Sequence, residues 1–509
     1  MAARTLIAAL AGVGALAAAA LAVSQKAGSL PAAQLGLIIS ADVRGYLEPC
    51  GCSEHMLGGI DRLAAQVEQA KRDLGAAVHL AAGDTLFANP PQDAAHGQQD
   101  QLKARTLVQI FEKVGSAALA LGPRDLPRGP AAIADAKPSF PVLGGGSGPG
   151  YSVQPQNGIA LGVATGNDAA ALIANVKSAK KAGAEVVVAL AEFPMPALLP
   201  AGPALHEVGA DVAVVGHQAN EADGEENRLA DASLPVLSLM SRGRSVARVE
   251  LHRVAGAPPG FALVQSGQEQ AREVRLRDAE IESLKKRAHL ASGALKAAME
   301  KKIVEKQAQR DALAARKPAP PAGRSWLSIE LIQLSDDKPH STAIHEQLDA
   351  FDLELGKLNL AWAKAHGQSC PAAKPGEPAF VGTQTCIGCH AGPAAVWQQT
   401  PHSHAYATLE KVHKQYDLDC VKCHVIGVDA PGGVCRVDQT QGRQNVGCES
   451  CHGRGSLHAG DPSVGMPVRT PAEANCRVCH TPENSTAFDY ATYLPKILGP
   501  GHGRPMVRK

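Results

Sequence analysis

The sequence predicts a multidomain protein. It reads as an N-terminal α/β layered sandwich over residues 33–265, a helical connector, and a C-terminal domain at 370–509 that is mostly irregular with short α-helices. Three observations carry this prediction. Short apolar runs alternate with amphipathic stretches through the first half of the chain. A charged, helix-forming stretch follows at 267–316 and runs into the stiff, Pro-rich Lys317–Gly323. The last quarter has few apolar runs but holds four copies of Cys-x-x-Cys-His.

A chain of 509 residues is long enough for two or three separate cores. Its net charge of +1 gives no footprint for a nucleic-acid partner and no acidic tail. The start reads as an export signal, residues 1–22: Arg4 is followed by the apolar Leu6–Val23, with a small-residue cleavage site at Ala20-Leu21-Ala22. The apolar run is also just long enough to span a bilayer, so membrane association through an uncleaved segment stays open. Either way the expected location is periplasmic or otherwise extracytoplasmic.

In the first domain, Leu35–Ser40, Ala77–Gly83, Ala117–Gly122, Glu185–Ala191, Asp211–Gly216 and Pro235–Met240 read as buried strands. Gly59–Lys71, Leu102–Val114 and Ala169–Lys181 carry helical spacing between them. Sites gather in the polar turns at strand ends of such domains. Here those turns carry Asp42-Val43-Arg44, Gly83-Asp84, Gly122-Pro123-Arg124-Asp125, Glu192 and Gly216-His217-Gln218-Ala219, and the next helix starts at Gly58-Gly59-Ile60-Asp61-Arg62.

These turns resemble the calcineurin-like metallophosphatase domain of 5′-nucleotidases in a degenerate form. The resemblance implies a site built on Asp42, Asp84 and His217, with Arg44, Pro123, Arg124 and Ala219 standing where the family has ligands or a proton donor. Two-metal phosphoester hydrolysis needs both ions held close together. Arginines in that cleft oppose cations and attract anions, so the expectation is a retained scaffold without hydrolysis. One divalent metal held by the surviving residues is the alternative. Cys50 and Cys52, with His55 nearby, fall in the loop after the first strand. They suit a soft metal, thiol redox chemistry, a disulfide, or no function at all.

In 267–316, Ile281, Leu284, Ala288, Ala291, Leu295 and Ala298 form a stripe at three- and four-residue steps. A helix or helical hairpin packed on a neighbour is expected, with a partner-binding coiled coil as the sharper alternative. Residues 317–369 are expected to be linker plus one helix, His345–His366.

The repeated motif spans Cys386–His390, Cys420–His424, Cys448–His452 and Cys476–His480. It is the attachment sequence of c-type haem: the thiols, one helical turn apart, bond to the porphyrin vinyl groups, and the adjacent histidine binds the iron. Structural zinc pairs its Cys-x-x-Cys units without needing a histidine after each. The expected cofactors are therefore four c-type haems on Cys386, Cys389, Cys420, Cys423, Cys448, Cys451, Cys476 and Cys479, with His390, His424, His452 and His480 as proximal iron ligands. Porphyrins at this density replace an ordinary core, which fits a chain with only 3% aromatic residues.

Phe380-Val381-Gly382, Trp397-Gln398-Gln399-Thr400-Pro401-His402, Asp419–Val425, Pro431-Gly432-Gly433 and Gly447–Gly453 resemble the tetrahaem cytochrome c-554 family. The resemblance implies mostly bis-histidine haems in stacked and roughly perpendicular pairs, with one iron five-coordinate. It implies His402 as a distal ligand. His404, His413, His458 and His502 are the other candidates by location. Cys370 and Cys435 have no counterpart in the family, and a disulfide between them suits an exported protein.

The function expected is electron transfer through the haems between unidentified redox partner proteins, with the first domain as a docking platform and no catalytic residue. Two alternatives stand beside it. One is an oxidoreductase acting on a small nitrogen or oxygen species at an open iron. The other is a metal-dependent 5′-nucleotidase or phosphoesterase.

Overall fold

The computed structural model describes residues 32–49, 56–146, 148–220, 224–230, 234–264, 267–315, 320–367, 369–465, 467–481, 484–485 and 488–504. The expectations for the N-terminal signal or anchor and for Cys50, Cys52 and His55 fall outside these residues.

The first domain's strands are, in chain order, β1 (Ala33–Ala41), β2 (Ala77–Ala82), β3 (Ser116–Leu121), β4 (Val142–Gly144), β5 (Tyr151–Gln156), β6 (Ile159–Gly166) and β7 (Val186–Ala191). They continue with β8 (Val212–Val215), β9 (Arg228–Ala230), β10 (Val236–Ser238), β11 (Ser245–Arg253), β12 (Ala262–Val264) and β13 (Trp326–Gln333). The helices are α1 (Ile60–Leu74), α2 (Ala94–Val114), α3 (Gly129–Ala136), α4 (Ala169–Lys181), α5 (Met195–Leu198), α6 (Gly202–Glu207), α7 (Gly267–His289), α8 (Gly293–Ala315) and α9 (Thr342–His366).

The strands form a seven-stranded sheet, β12-β13-β11-β1-β2-β3-β4, and a six-stranded sheet, β5-β6-β7-β8-β10-β9. Successive side chains on a strand point to opposite faces, and that period builds the layers. Leu35, Leu37 and Ile39 of β1 meet Leu161 and Val163 of β6 and Val188 and Leu190 of β7 in one core between the sheets. Ile38 faces the other way, into a core with Leu63 and Val67 of α1, Leu107 and Phe111 of α2, and Leu348 and Phe351 of α9. Val187 and Ala189 of β7 pack outward on Leu172 and Val176 of α4 and Leu205 of α6. The order is helix, sheet, sheet, helix, so strands buried on both faces read as continuous apolar runs.

The strands anticipated from the sequence are all present, but β4, β5, β6, β9, β11, β12 and β13 are additions, of which β11 and β13 matter most to the first sheet. In β11 buried Ala247, Val249 and Leu251 alternate with half-exposed Arg248, Glu250 and His252, so no continuous apolar run announces it. β13 lies in the stretch read as linker and helix. After the α7–α8 hairpin the chain returns to the first sheet, where β13 pairs antiparallel with β11 and parallel with β12. Without it the backbone edge of β11 would lack a partner. Helix α9 likewise belongs to the first domain's core, burying Ile344, Leu348, Phe351 and Leu355 there.

The charged stretch is a helical hairpin packed on itself. Ile281, Leu284 and Ala288 of α7 close on Ile303 and Met299 of α8. The apolar stripe breaks at the turn, and Leu295 is exposed.

The C-terminal domain is a set of short helices: α10 (Thr383–Ile387), α11 (Ala391–Trp397), α12 (Ala405–Glu410), α13 (Leu418–His424), α14 (Cys448–His452), α15 (Ser456–Gly460), α16 (Glu473–Arg477) and α17 (Tyr490–Ile497). Its largest apolar cluster is small, with Tyr406, Val421, Val425, Val434 and Val437 gathered on Ala363 of α9. A disulfide joins Cys370 to Cys435.

Polar groups join the two domains. Gln99 of α2 is buried and donates to Asp417 (2.9 Å) and Asp419 (3.0 Å). Its carbonyl accepts from Asn359 of α9 (2.7 Å) and from the Leu418 backbone (3.0 Å). Lys103 reaches Asp419 at 2.6 Å. Lys414 is held between Glu48 and Asp352, the latter at 2.6 Å. Burial opposes the charge on both lysines, but their paired carboxylates outweigh it and hold each ammonium charged. Asp419 directly precedes Cys420, so the second motif is fastened to the first domain.

Candidate haem-attachment sites and the altered cleft

Each motif coils into one helical turn. The His390 N–H bonds to the Cys386 carbonyl at 3.0 Å, and the His480 N–H to the Cys476 carbonyl at 2.9 Å. Residues three and four apart share a helix face, so two thiols and an imidazole present to one side. At the second motif Asp417 caps α13, its side chain accepting from the Asp419 N–H. The four turns converge. The Cys386 thiol lies against Cys448, which places the first motif beside the third, and Cys479 lies against Cys423, which places the fourth beside the second.

The histidines test whether these turns fit haem. Two imidazoles bound trans to one metal ion, each through a bond of roughly 2 Å, set their ring centroids about 6 Å apart. His390 and His458 are 6.2 Å apart, His480 and His402 6.3 Å, and His452 and His502 6.2 Å. Three of the four proximal histidines therefore lie at an iron-bridging separation from one of the sequence-derived distal candidates. The residues fit the cofactor.

Hydrogen bonds at Nδ1 orient the rings. His452 donates to the Val468 carbonyl (2.6 Å), His424 to the Ala405 carbonyl (2.6 Å) and His502 to the Ile497 carbonyl (2.9 Å). In His452 and His502 this leaves Nε2 for a metal, the arrangement that fixes tautomer and ring plane in metal-ligating histidines. Burial lowers the basicity of His402, His424 and His480, favouring the neutral form that binds metal. His402 itself is set by Trp397, whose Nε1 donates to the Val446 carbonyl (2.9 Å), while the Val446 N–H bonds to the His402 carbonyl (3.2 Å). His404 and His413 are exposed, and neither ring faces a proximal imidazole among the described residues.

Glu449 was not anticipated. It lies inside the third motif, is buried, and accepts from the backbone of Gly382 (2.7 Å), Val381 (3.1 Å) and Gly455 (2.8 Å). It thereby ties the chain entering the first motif to the segment leading into α15, which carries His458. Its only trace in the sequence is an acidic residue between the two cysteines of the third motif.

In the first domain Asp42, Arg44 and Asp84 sit in turns with left-handed backbones, φ 53°, 56° and 39°. Arg44 grips Asp42 with two bonds, 2.7 and 2.8 Å, and Ser241 adds a third at 2.5 Å. Asp84 accepts from the Arg124 N–H at 2.9 Å, ion-pairs with its guanidinium at 3.2 Å, and contacts His217 Nδ1 at 2.5 Å. Asp125 is buried and clamps the backbone N–H groups of Thr85, Leu86 and Gly122. Burial pushes Asp125 up to about 7. Burial, then the charges of Asp84 and Asp125, raises Glu192 well above the usual range. A Cβ on Gly83 would lie 1.6 Å from Glu192 Oε2, so only glycine fits there.

These residues do not fit the metal centre that the resemblance allows. Guanidinium groups occupy the carboxylates of Asp42 and Asp84. Among the described residues no group of three His, Cys, Asp or Glu side chains is arranged to hold an ion. The same pairing corrects the expectation of an anion-attracting cleft, because both arginines are ion-paired to a carboxylate within it.

Helical attachment turns with imidazoles paired across an iron-sized gap define a multihaem c-type cytochrome region. The comparisons agree. Residues 385–453 match the family described as cytochrome c554 and c-prime. Cytochrome c-554 of Nitrosomonas europaea is 36% identical over 110 residues, 19% of this chain and 45% of that protein. The chain thus spans less than half the length of that relative. Among solved structures, the 5′-nucleotidase precursor from Thermus thermophilus covers 74% of this chain and 68% of its own, at 14% identity and TM-score 0.39. The sulfate thiohydrolase SoxB of Thermus thermophilus, in complex with glycerol, covers 66% and 62%, at 12% identity and TM-score 0.40. That likeness is loose, and the layer order above follows from this chain's own strand pairing and core contacts. No helix among the described residues is long and apolar enough to cross a membrane.

Proposed function

We propose that the chain is an exported electron-transfer cytochrome with four covalently attached haems. In this reading the first domain is a non-hydrolytic docking platform for redox partner proteins. The observation that carries it is the set of three facing imidazole pairs, His390–His458, His480–His402 and His452–His502. Haem, when bound, supplies a reversible one-electron couple whose potential the axial ligands and burial tune. The chain's own residues do the rest. The motif turns fix the attachment points, carbonyls at Nδ1 hold the imidazole planes of His424, His452 and His502, and the adjacency of the motifs keeps neighbouring sites within short electron-transfer reach.

The platform role is supported by the interdomain lock at Gln99, Lys103 and Lys414, which holds the second motif against α2 and α9. The absence of hydrolysis is supported by the Arg44–Asp42 and Arg124–Asp84 pairs, which leave no carboxylate pair open to bridge two ions. Export is supported by the N-terminal sequence and by the Cys370–Cys435 disulfide, since disulfides persist outside the reducing cytoplasm. The deciding experiment is a spectropotentiometric titration of the matured protein with spin-state assignment. Several resolved one-electron couples with low-spin bis-imidazole signatures are expected. A protein with no reversible haem couple would remove the reading.

A further inference from the structure

The α7–α8 hairpin stands apart from the haem sites and is not used by the electron-transfer reading. Its apolar cluster is its own: Ile281, Leu284, Ala288, Ile303 and Met299 form a core separate from those of both sheets. Two helices of 23 residues each make an arm about 35 Å long. Its charge is segregated along that length. Near the sheet, cross-helix pairs balance it, with Arg310 on Asp278 at 2.9 Å and Lys306 on Glu280 at 2.9 Å. Toward the turn, the stretch from Glu282 to Lys302 holds six Lys and Arg residues against two acids. All six, Lys285, Lys286, Arg287, Lys296, Lys301 and Lys302, are exposed. At the apex Leu290 is 87% exposed and Leu295 is 59% exposed, with no packing partner among the described residues that would explain a leucine there.

From this arrangement we infer that the hairpin tip is a contact for an anionic phospholipid bilayer surface. A basic collar draws the arm to negatively charged headgroups, and projecting leucines enter the boundary between headgroup and acyl chain. The lysine stems can lie along the apolar layer while their ammonium groups stay with the phosphates. An acidic protein surface is the weaker match. A stable protein contact needs on the order of 800 Å² on each side, and one narrow turn between two helices offers a small area with its leucines at the point. A bilayer asks only for local insertion. The inference does not depend on the haem reading, and its failure would leave that reading intact.

The test is partition of the full holoprotein onto vesicles of phosphatidylcholine alone and of phosphatidylcholine with phosphatidylglycerol. It is repeated for Leu290→Ser with Leu295→Ser and for Lys285→Glu with Lys286→Glu and Arg287→Glu. Neither variant touches a haem motif or the hairpin's own core, so an unchanged haem spectrum together with unchanged helical far-UV circular dichroism certifies the fold. Binding is expected on the anionic vesicles, weakening with salt, and falling on the order of 100-fold in the charge-reversed variant, given the usual contribution of each basic residue near a charged membrane. A Leu290→Trp variant should shift its emission to the blue on anionic vesicles, which locates the tip even if another part of the chain also binds. Equal binding to both vesicle types by all variants, or no shift from Leu290→Trp, overturns the inference. Tip-dependent binding to polyglutamate but not to vesicles overturns it in favour of an acidic protein partner.

Discussion

The imidazoles of His390 and His458 face one another with centroids 6.2 Å apart and planes inclined by 27°. Only the first of them is placed by its immediate sequence. His390 is set by the turn of the first motif, and His458 by α15, which follows the third. Glu449 joins the two by accepting backbone N–H groups from Val381, Gly382 and Gly455. Replacing Glu449 with Ala would strand those buried donors at a cost of about 3 kcal/mol. The expected result is a lower urea midpoint and a perturbed low-spin signal at one haem, with haem content unchanged. An unaltered spectrum and midpoint would show that the clamp is dispensable.

The distal pairings predict a specific pattern. His458→Ala, His402→Ala and His502→Ala should each convert one haem from low-spin to high-spin while the total haem stays the same. The three changes should fall on different haems, those of the first, fourth and third motifs respectively. Magnetic circular dichroism of each variant checks this. Two variants altering the same haem would break the pairing.

Haem content is predicted at four per chain from the four intact motifs. A pyridine haemochrome assay with the intact mass of the matured protein measures it. Cys420→Ala with Cys423→Ala should remove one haem. Because Cys423 and Cys479 lie side by side, it should also disturb the haem on the fourth motif.

Lys414 neutralises Glu48 and Asp352 at the domain junction. Lys414→Met leaves two carboxylates facing each other without a cation and should cost about 3 kcal/mol, the usual order for breaking a buried pair. Adding Asp352→Asn should recover part of the loss. Urea denaturation of the single and double variants tests this coupling. A double variant no better than the single would mean that the pair contributes through shape alone.

The altered cleft gives a pH dependence with a definite sign. Burial raises Asp125 to about 7, against the opposing pull of its backbone hydrogen bonds. Its folded value therefore lies above the unfolded value of about 3.9. The folded state binds the proton more tightly, so Asp125's stabilising share is complete below about pH 4. It is lost as pH rises toward 7, by at most about 1.4 kcal/mol per unit. Asp125→Asn should flatten the fall in stability between pH 4 and 7 relative to the wild type. Urea midpoints across that range read the difference, and parallel profiles would count against a buried, titrating carboxyl.

The sequence by itself determined the layered fold class, and its repeated motif points to the attachment chemistry. A motif of five residues coils into one turn, so spacing alone sets two thiols and a proximal imidazole on one face. Strands buried between a sheet and a helix layer are mostly apolar on both faces, which made β7 and β8 visible as unbroken runs and β1 and β2 as nearly so. β11 hid because one of its faces is half-exposed and its residues alternate, and β13 hid because a hairpin of two long helices separates it from the strands it pairs with. The distal ligands were only a set of candidates until the chain closed. His458 and His502 reach their partners through contacts between segments far apart in sequence, which residue spacing does not encode. The cleft was decided the same way. The sequence showed arginines where the resembling family has ligands, but a guanidinium can equally well recruit an anion. Only the tertiary structure brings Arg44 onto Asp42 and Arg124 onto Asp84, because a buried charge is tolerated only beside its opposite.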